Sequence, residues 1–194
     1  MQRSVEEYRQ ANVRAPAMDE ESSRAPIEKW KAPPDGWCKV NWDVGFAKSS
    51  DIMGLGIIVR DSRSNVLATR SLTRKVLLEP IMGEVLASYY AALLCKELAL
   101  TYVILEGDAK QVVDAIVSKG NCWSRFGHLV EDTRTVLLAF TEWKCVHINR
   151  TANNVVHKLA KMATSDIIDR TWTLCIPDCI RDVILMKQLV PSSD

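Results

Sequence analysis

Between Cys38 and Phe46 the chain alternates with period two. Cys38, Val40, Trp42, Val44 and Phe46 fall on one face, and Lys39, Asn41, Asp43 and Gly45 on the other. That is the pattern of a strand with one face against a core. This stretch constrains the fold most, because it puts a carboxylate in the middle of a strand. A desolvated, unpaired charge there costs several kcal/mol. Either the polar face of the strand is wet, or Asp43 has a partner or a task.

Two further strands follow, Met53–Asp61 and Asn65–Thr73, with Asp61–Ser64 as the turn between them. The three read as an antiparallel meander. The period then lengthens. Glu79-Pro80 opens a helix running to about Leu100, with Pro in its first turn and Glu84, Ala87, Ala91, Leu94 and Leu98 on one side. Tyr102–Leu105 is an apolar strand, Asp108–Lys119 a helix stopped by Gly120, and Ser124 to about Phe140 another helix. Trp143–Ile148 is a strand and Thr151 to about Ser165 a last helix. The order β-β-β-α-β-α-α-β-α predicts an α/β fold: a mixed sheet with helices on both faces.

Residues 1–35 differ from this. They hold four of the seven prolines and few large apolar groups, and end in the turn signal Pro33-Pro34-Asp35-Gly36. A disordered leader over 1–35, a domain over 36–166 and a C-terminal tail with a short helix over 167–194 is the expected organisation. The chain has 25 Lys plus Arg against 24 Asp plus Glu, which excludes a strongly basic nucleic-acid coat and a strongly acidic solvating chain. No apolar run is long enough for a membrane span and Met1–Gln10 has no apolar signal core, so an intracellular, reducing compartment is expected. The six cysteines are then free thiols, most of them core fillers. Asn149-Arg150-Thr151 is a glycosylation acceptor only on a secretory route. Gly54-Leu55-Gly56 lacks the third glycine and the helix of a dinucleotide loop.

Three acids stand out. Asp43 lies mid-strand, Glu84 near the start of its helix, and Asp108 between a strand and a helix. Each has an ordinary explanation: a wet strand face, a helix dipole, and a capping box in Asp108-Ala109-Lys110-Gln111. Together they can converge on one edge of the sheet. Clustered carboxylates repel unless a divalent cation sits among them, and all-oxygen ligands suit Mg²⁺ or Mn²⁺ rather than zinc. Two such ions about 3.5–4 Å apart serve in-line attack on a phosphodiester.

Lys39-Val40-Asn41-Trp42-Asp43 and Gly54-Leu55-Gly56-Ile57-Ile58-Val59-Arg60-Asp61 resemble the opening of ribonuclease H-like domains, most of all the plant branch related to non-LTR retroelement reverse transcriptases. Gly83-Glu84-Val85-Leu86-Ala87 with Ala91-Ala92-Leu93 matches the helix signature of that family. Glu106-Gly107-Asp108 with Val112-Val113-Asp114-Ala115-Ile116 matches the next, and Arg150-Thr151-Ala152-Asn153 with His157-Lys158-Leu159-Ala160 the last. The resemblance covers about Pro34 to Asp166 and implies a five-stranded mixed sheet of ribonuclease H-like fold. It implies that Asp43, Glu84 and Asp108 bind two Mg²⁺ or Mn²⁺ ions. His157 stands where the family usually has a fourth Asp, and counts with the three acids as a candidate catalytic residue. Asn41, Gly45, Gly83 and Asn153 fall at expected nucleic-acid contacts.

The implied activity is cleavage of the RNA strand of an RNA–DNA hybrid by a monomer. The alternative is a catalytically weak or inactive module derived from a retroelement; a DNA exonuclease or transposase-like member is a third reading. Some members carry a loop histidine before the last helix, which Asn149–Asn153 lacks, since His128 and His147 lie elsewhere. Some carry a basic protrusion, for which Gly120–Trp123 is too short. Arg60, Arg63, Arg70, Arg74 and Lys75 offer either a modest basic patch or a solvated charged face.

Overall fold

The computed structural model describes residues 29–47, 51–75, 79–120, 122, 124–167, 169–173 and 175–188. Most of the expected leader, residues 1–28, lies outside them, as does Trp123.

Eleven elements follow in order: β1 (Cys38–Phe46), β2 (Ile52–Arg60), β3 (Val66–Lys75), α1 (Pro80–Glu97), β4 (Tyr102–Gly107), α2 (Lys110–Val117), α3 (Gly127–Leu137), β5 (Glu142–His147), α4 (Asn154–Asp166), β6 (Arg170–Trp172) and α5 (Asp178–Gln188). The strands form one sheet in the order β5-β4-β1-β2-β3-β6. β1 is central, antiparallel to β2 and parallel to β4, and β4 is parallel to β5. The α/β reading holds, with six strands where five were expected.

The alternation in β1 explains the layering. Val40, Trp42 and Val44 join a core with residues of α1, α2 and α3, and Trp42 is fully buried. The other face of the sheet meets α4 and α5, where Ile58 packs with Val155, Val156, Leu159, Ile180 and Ile184. α1 takes its N-terminus from Pro80 and buries Gly83, Val85, Ala87, Ser88, Ala91, Ala92, Leu94 and Cys95. So many small residues let it pack tightly between the sheet and α3.

The tail belongs to this body. β6 pairs antiparallel with β3, Thr69 opposite Trp172 and Ser71 opposite Arg170, and so covers what would be an exposed edge. α5 then brings Ile180 and Ile184 to the α4 side. Packing therefore runs well past residue 166, and a three-residue strand with no visible alternation hides it in the sequence. At the other end, Trp30 lies over the Arg60 guanidinium, 3.4 Å from ring centroid to Cζ. Lys39 Nζ donates to the Lys31 carbonyl at 2.8 Å, and Pro33 is buried. The chain is thus docked from about residue 30.

All six cysteines are free thiols. The α2–α3 connection is closed by one side chain. Arg134 donates from its guanidinium to the carbonyls of Ala115, Ile116, Ser118 and Gly120 and pairs with Glu131 at 2.6 Å. A cation satisfying the last carbonyls of a helix also complements its dipole. Arg134→Ala should cost about 2–3 kcal/mol in chemical denaturation, because several charge-assisted bonds are lost at once. Arg134→Lys should not restore it, since a point charge cannot span the four carbonyls. Full rescue by Lys would show the contribution to be charge alone.

Candidate metal centre

Asp43 sits in the middle of β1, 4% exposed, on the face toward α4. The wet-strand explanation fails on that number. β4 runs on to Gly107, two residues past the apolar run, and delivers Asp108 directly beyond its end. The helix after it starts at Lys110 with Ala109 at the N-cap and no side-chain cap bond. Asp108 is therefore released from the capping role that its sequence context suggests. Glu84 lies in the second turn of α1, which has no acid in its first turn. The helix dipole, confined to the terminal turn, does not account for it. Gly83 lets that turn lie against the sheet: a Cβ there would fall 2.6 Å from Met53 Sδ and 3.2 Å from Val44 Cγ1.

The three carboxylates converge. One oxygen from each of Asp43, Glu84 and Asp108 lies within 4.8 Å of the others. Three anions at that spacing oppose one another's ionisation. Burial, then repulsion from Asp43 and Asp108, pushes Glu84 up to about 8, with smaller opposing effects from Trp42 and Arg150. Burial and the Asp108 charge raise Asp43, and its bond to His157 pulls it partly back. That bond runs between His157 Nδ1 and Asp43 Oδ2 at 2.6 Å. His157 is thus joined to the cluster through Asp43.

The other expected contacts divide. Asn153 Nδ2 donates to the Trp42 carbonyl at 2.8 Å and its Oδ1 is buried without a partner. Gly45 is buried against α4, where a Cβ would lie 3.0 Å from the Ala160 carbonyl carbon. Asn41 is 1% exposed and both ends of its amide are engaged: Nδ2 donates to Glu106 Oε2 at 3.0 Å, and Oδ1 accepts from Arg60 at 2.7 Å. It has no free group to offer a ligand.

The basic patch is largely consumed within the molecule. Arg60 turns inward, Arg70 pairs with Glu97 and Arg74 with Asp169, while Arg63 and Lys75 remain exposed. Of the histidines outside the cluster, His128 is exposed on α3, and His147 Nε2 lies 3.1 Å from the Asp108 carbonyl oxygen. Sequence reasoning missed the Arg60–Asn41–Glu106–Lys39 network and the influence of Arg150 on Glu84. Arg150 stands in the quoted last motif, and its charge was the available signal.

The donor set fits a hard divalent cation. Glu84 Oε2 is buried without a hydrogen-bond partner, and the three acids offer oxygens only. The raised acids also set a pH dependence. With Glu84 raised from 4.5 to about 8 in the fold, the folded state holds more protons than the unfolded one between those values. The metal-free protein should therefore lose stability as pH rises through that window, by up to roughly 5 kcal/mol. Thermal melts in EDTA at pH 5 and pH 9 check this. The drop should shrink in Glu84→Gln, and Mn²⁺ should raise Tm chiefly at the alkaline end.

The strand order and helix layers are those of a ribonuclease H-like fold, and comparison with solved structures agrees. RNase H1 from the halophilic archaeon Halobacterium salinarum NRC-1 aligns with TM-score 0.61 at 17% identity, covering 67% of this chain and 98% of that one. The N-terminal RNase H domain of rv2228c from Mycobacterium tuberculosis, solved as a fusion with maltose binding protein, aligns at 0.60 and 17%, covering 66% and 93%. LC11-RNase H1 in complex with an RNA/DNA hybrid aligns at 0.59 and 17%, covering 67% and 98%. No curated protein sequence matches significantly. Residues 41–163 match the family described as reverse transcriptase-like, and the chain belongs to that family. Among the described residues no helix is long and apolar enough to cross a membrane.

Proposed function

We propose that this protein is a divalent-metal-dependent nuclease that cleaves the RNA strand of an RNA–DNA hybrid. The observation that carries the reading is the convergence of Asp43, Glu84 and Asp108 within 4.8 Å in a fold of this class. A structural neighbour, LC11-RNase H1, was solved with an RNA/DNA hybrid, which supports the choice of substrate. Mg²⁺ or Mn²⁺, as two ions, would supply charge neutralisation and activation of the attacking water. Asp43 and Asp108 would hold the ions from two adjacent strands, and Glu84 would complete the donor set from α1. His157, bonded through Nδ1 to Asp43 Oδ2, would hold that carboxylate in place. Recognition of the hybrid would use ribose 2′-hydroxyls, which separate RNA from DNA, through backbone groups near Gly45, Gly83 and the metal site.

Purified full-length protein incubated with labelled hybrid, duplex RNA and duplex DNA, with and without Mn²⁺, tests the reading. Cleavage confined to the hybrid and abolished by EDTA is expected; no cleavage, or equal cleavage of duplex DNA, defeats it. The pairing of His157 with Asp43 Oδ2 favours a second reading, a weak or inactive module, because the imidazole competes with a cation for that oxygen.

The same pairing gives a metal preference. With imidazole in place of a fourth carboxylate the site has one anion fewer, and Mn²⁺ tolerates nitrogen near its donors better than Mg²⁺. Mn²⁺ should support faster cleavage than Mg²⁺ at saturation, and His157→Asp should raise the Mg²⁺-supported rate severalfold. Equal saturated rates with both ions in the wild type would count against this account.

A further inference from the structure

We infer that Asn41 and Glu106 are positioning residues, which set the distance between Asp43 and Asp108 by tying β1 to β4 at the last rung before each carboxylate. The inference rests on the metal-dependent reading above and concerns how its site is held open to ions.

The parallel ladder between β1 and β4 runs from Cys38 opposite Val103 to Asn41 opposite Glu106 and ends there. Beyond that rung the two strands continue to Asp43 and Asp108, each two residues further on. With no backbone rung above it, the spacing of the acids depends on whatever fixes the end of the ladder. Their mutual repulsion acts to widen it.

The fixing element is a side-chain bond across that rung, from Asn41 Nδ2 to Glu106 Oε2 at 3.0 Å. Both residues are buried, at 1% and 3% exposed. Their remaining polar atoms are also held. Glu106 Oε1 pairs with Lys39 Nζ at 2.6 Å and Asn41 Oδ1 accepts from Arg60 at 2.7 Å. Arg60 is covered by Trp30. A buried amide bonded at both its nitrogen and its oxygen is held in one orientation, so the bond can transmit a fixed separation.

The network is otherwise hard to explain. Asn41 and Glu106 lie on the polar side of their strands and are buried there, where apolar residues would carry a lower desolvation cost. They also lie on the two strands that position the acids, Asp43 within β1 and Asp108 just past β4, which a general stabilising pair need not do.

Two variants separate positioning from charge. Asn41→Ala keeps every charge and removes the tie; Glu106→Gln removes a charge and keeps an acceptor for Asn41. Mn²⁺ binding to the metal-free protein, by calorimetry, is the readout, with a cooperative melt as the fold control. Asn41→Ala should bind Mn²⁺ at least about tenfold more weakly, and the metal concentration for half-maximal cleavage should rise in parallel while KM for hybrid stays unchanged. Glu106→Gln should stay near wild type. Wild-type Mn²⁺ affinity in Asn41→Ala overturns the inference, as does a Glu106→Gln defect as large as that of Asn41→Ala. If Asn41→Ala does not melt cooperatively, Glu106→Ala against Glu106→Gln decides: a weak Ala and a near-normal Gln support the tie, and equal affinities overturn it. A wild type that binds Mn²⁺ but leaves the hybrid intact defeats the nuclease reading alone. A wild type that binds no Mn²⁺ defeats both.

Discussion

Asp43→Asn should reduce hybrid cleavage by about a thousandfold or more, roughly 4 kcal/mol of transition-state stabilisation at 1.36 kcal/mol per tenfold. Asp43 is the acid whose loss breaks the most at once. It shares the cluster with Glu84 and Asp108 and carries His157 on Oδ2. Asn is nearly the same size; it removes the charge and replaces one acceptor oxygen with an amide nitrogen. Because Asp43 is buried among like charges, the metal-free variant should melt at the same temperature as wild type or higher, and Mn²⁺ should raise its Tm little. Lost activity with a preserved fold is the signature of a metal ligand. Cleavage within a few-fold of wild type would remove Asp43 from the site.

Gly56→Ala should destabilise the protein by about 3 kcal/mol or more, near the upper end for overpacking. Gly56 lies opposite Asp43 in the β1–β2 ladder. A Cβ there would come within 2.5 Å of both the Ala160 nitrogen and the Val156 carbonyl oxygen of α4. Those atoms are backbone, so no rotamer change relieves the overlap and α4 must lift from the sheet. His157 rides on that helix beside Val156, so its bond to Asp43 should break as well. Expected are a Tm loss of roughly 10 °C and a weakened metal dependence, readable by thermal melts with and without Mn²⁺. A melt within about 2 °C of wild type would show that the helix yields at little cost.

The two substitutions differ in how readily the sequence reveals them. Asp43 is legible because an acid mid-strand violates the energetics of burial and invites a reason. The role of Gly56 is not, since a glycine in a strand is compatible with a bulge, an edge or a turn. Only the position of α4 shows that its missing side chain is what admits the helix. Asp108 is intermediate. Its context reads equally as a helix cap, and the cap was excluded only when the helix was found to start two residues later. β6 and the docking of Trp30 were invisible, one because three residues carry no period, the other because its partner Arg60 is 30 residues away.

What the sequence determined by itself is the set of layers and the identity of the acids. Periods of two and 3.6 are local properties of the backbone, and the pattern of apolar residues declares which face of each element is buried. What only the tertiary structure decided is distance: that oxygens 41 and 24 residues apart along the chain meet within 4.8 Å, that His157 closes on Asp43, and that Asn41 and Glu106 tie the two strands beneath them. Such contacts depend on how elements pack, and packing is fixed by the shapes of many side chains at once, which no local period encodes.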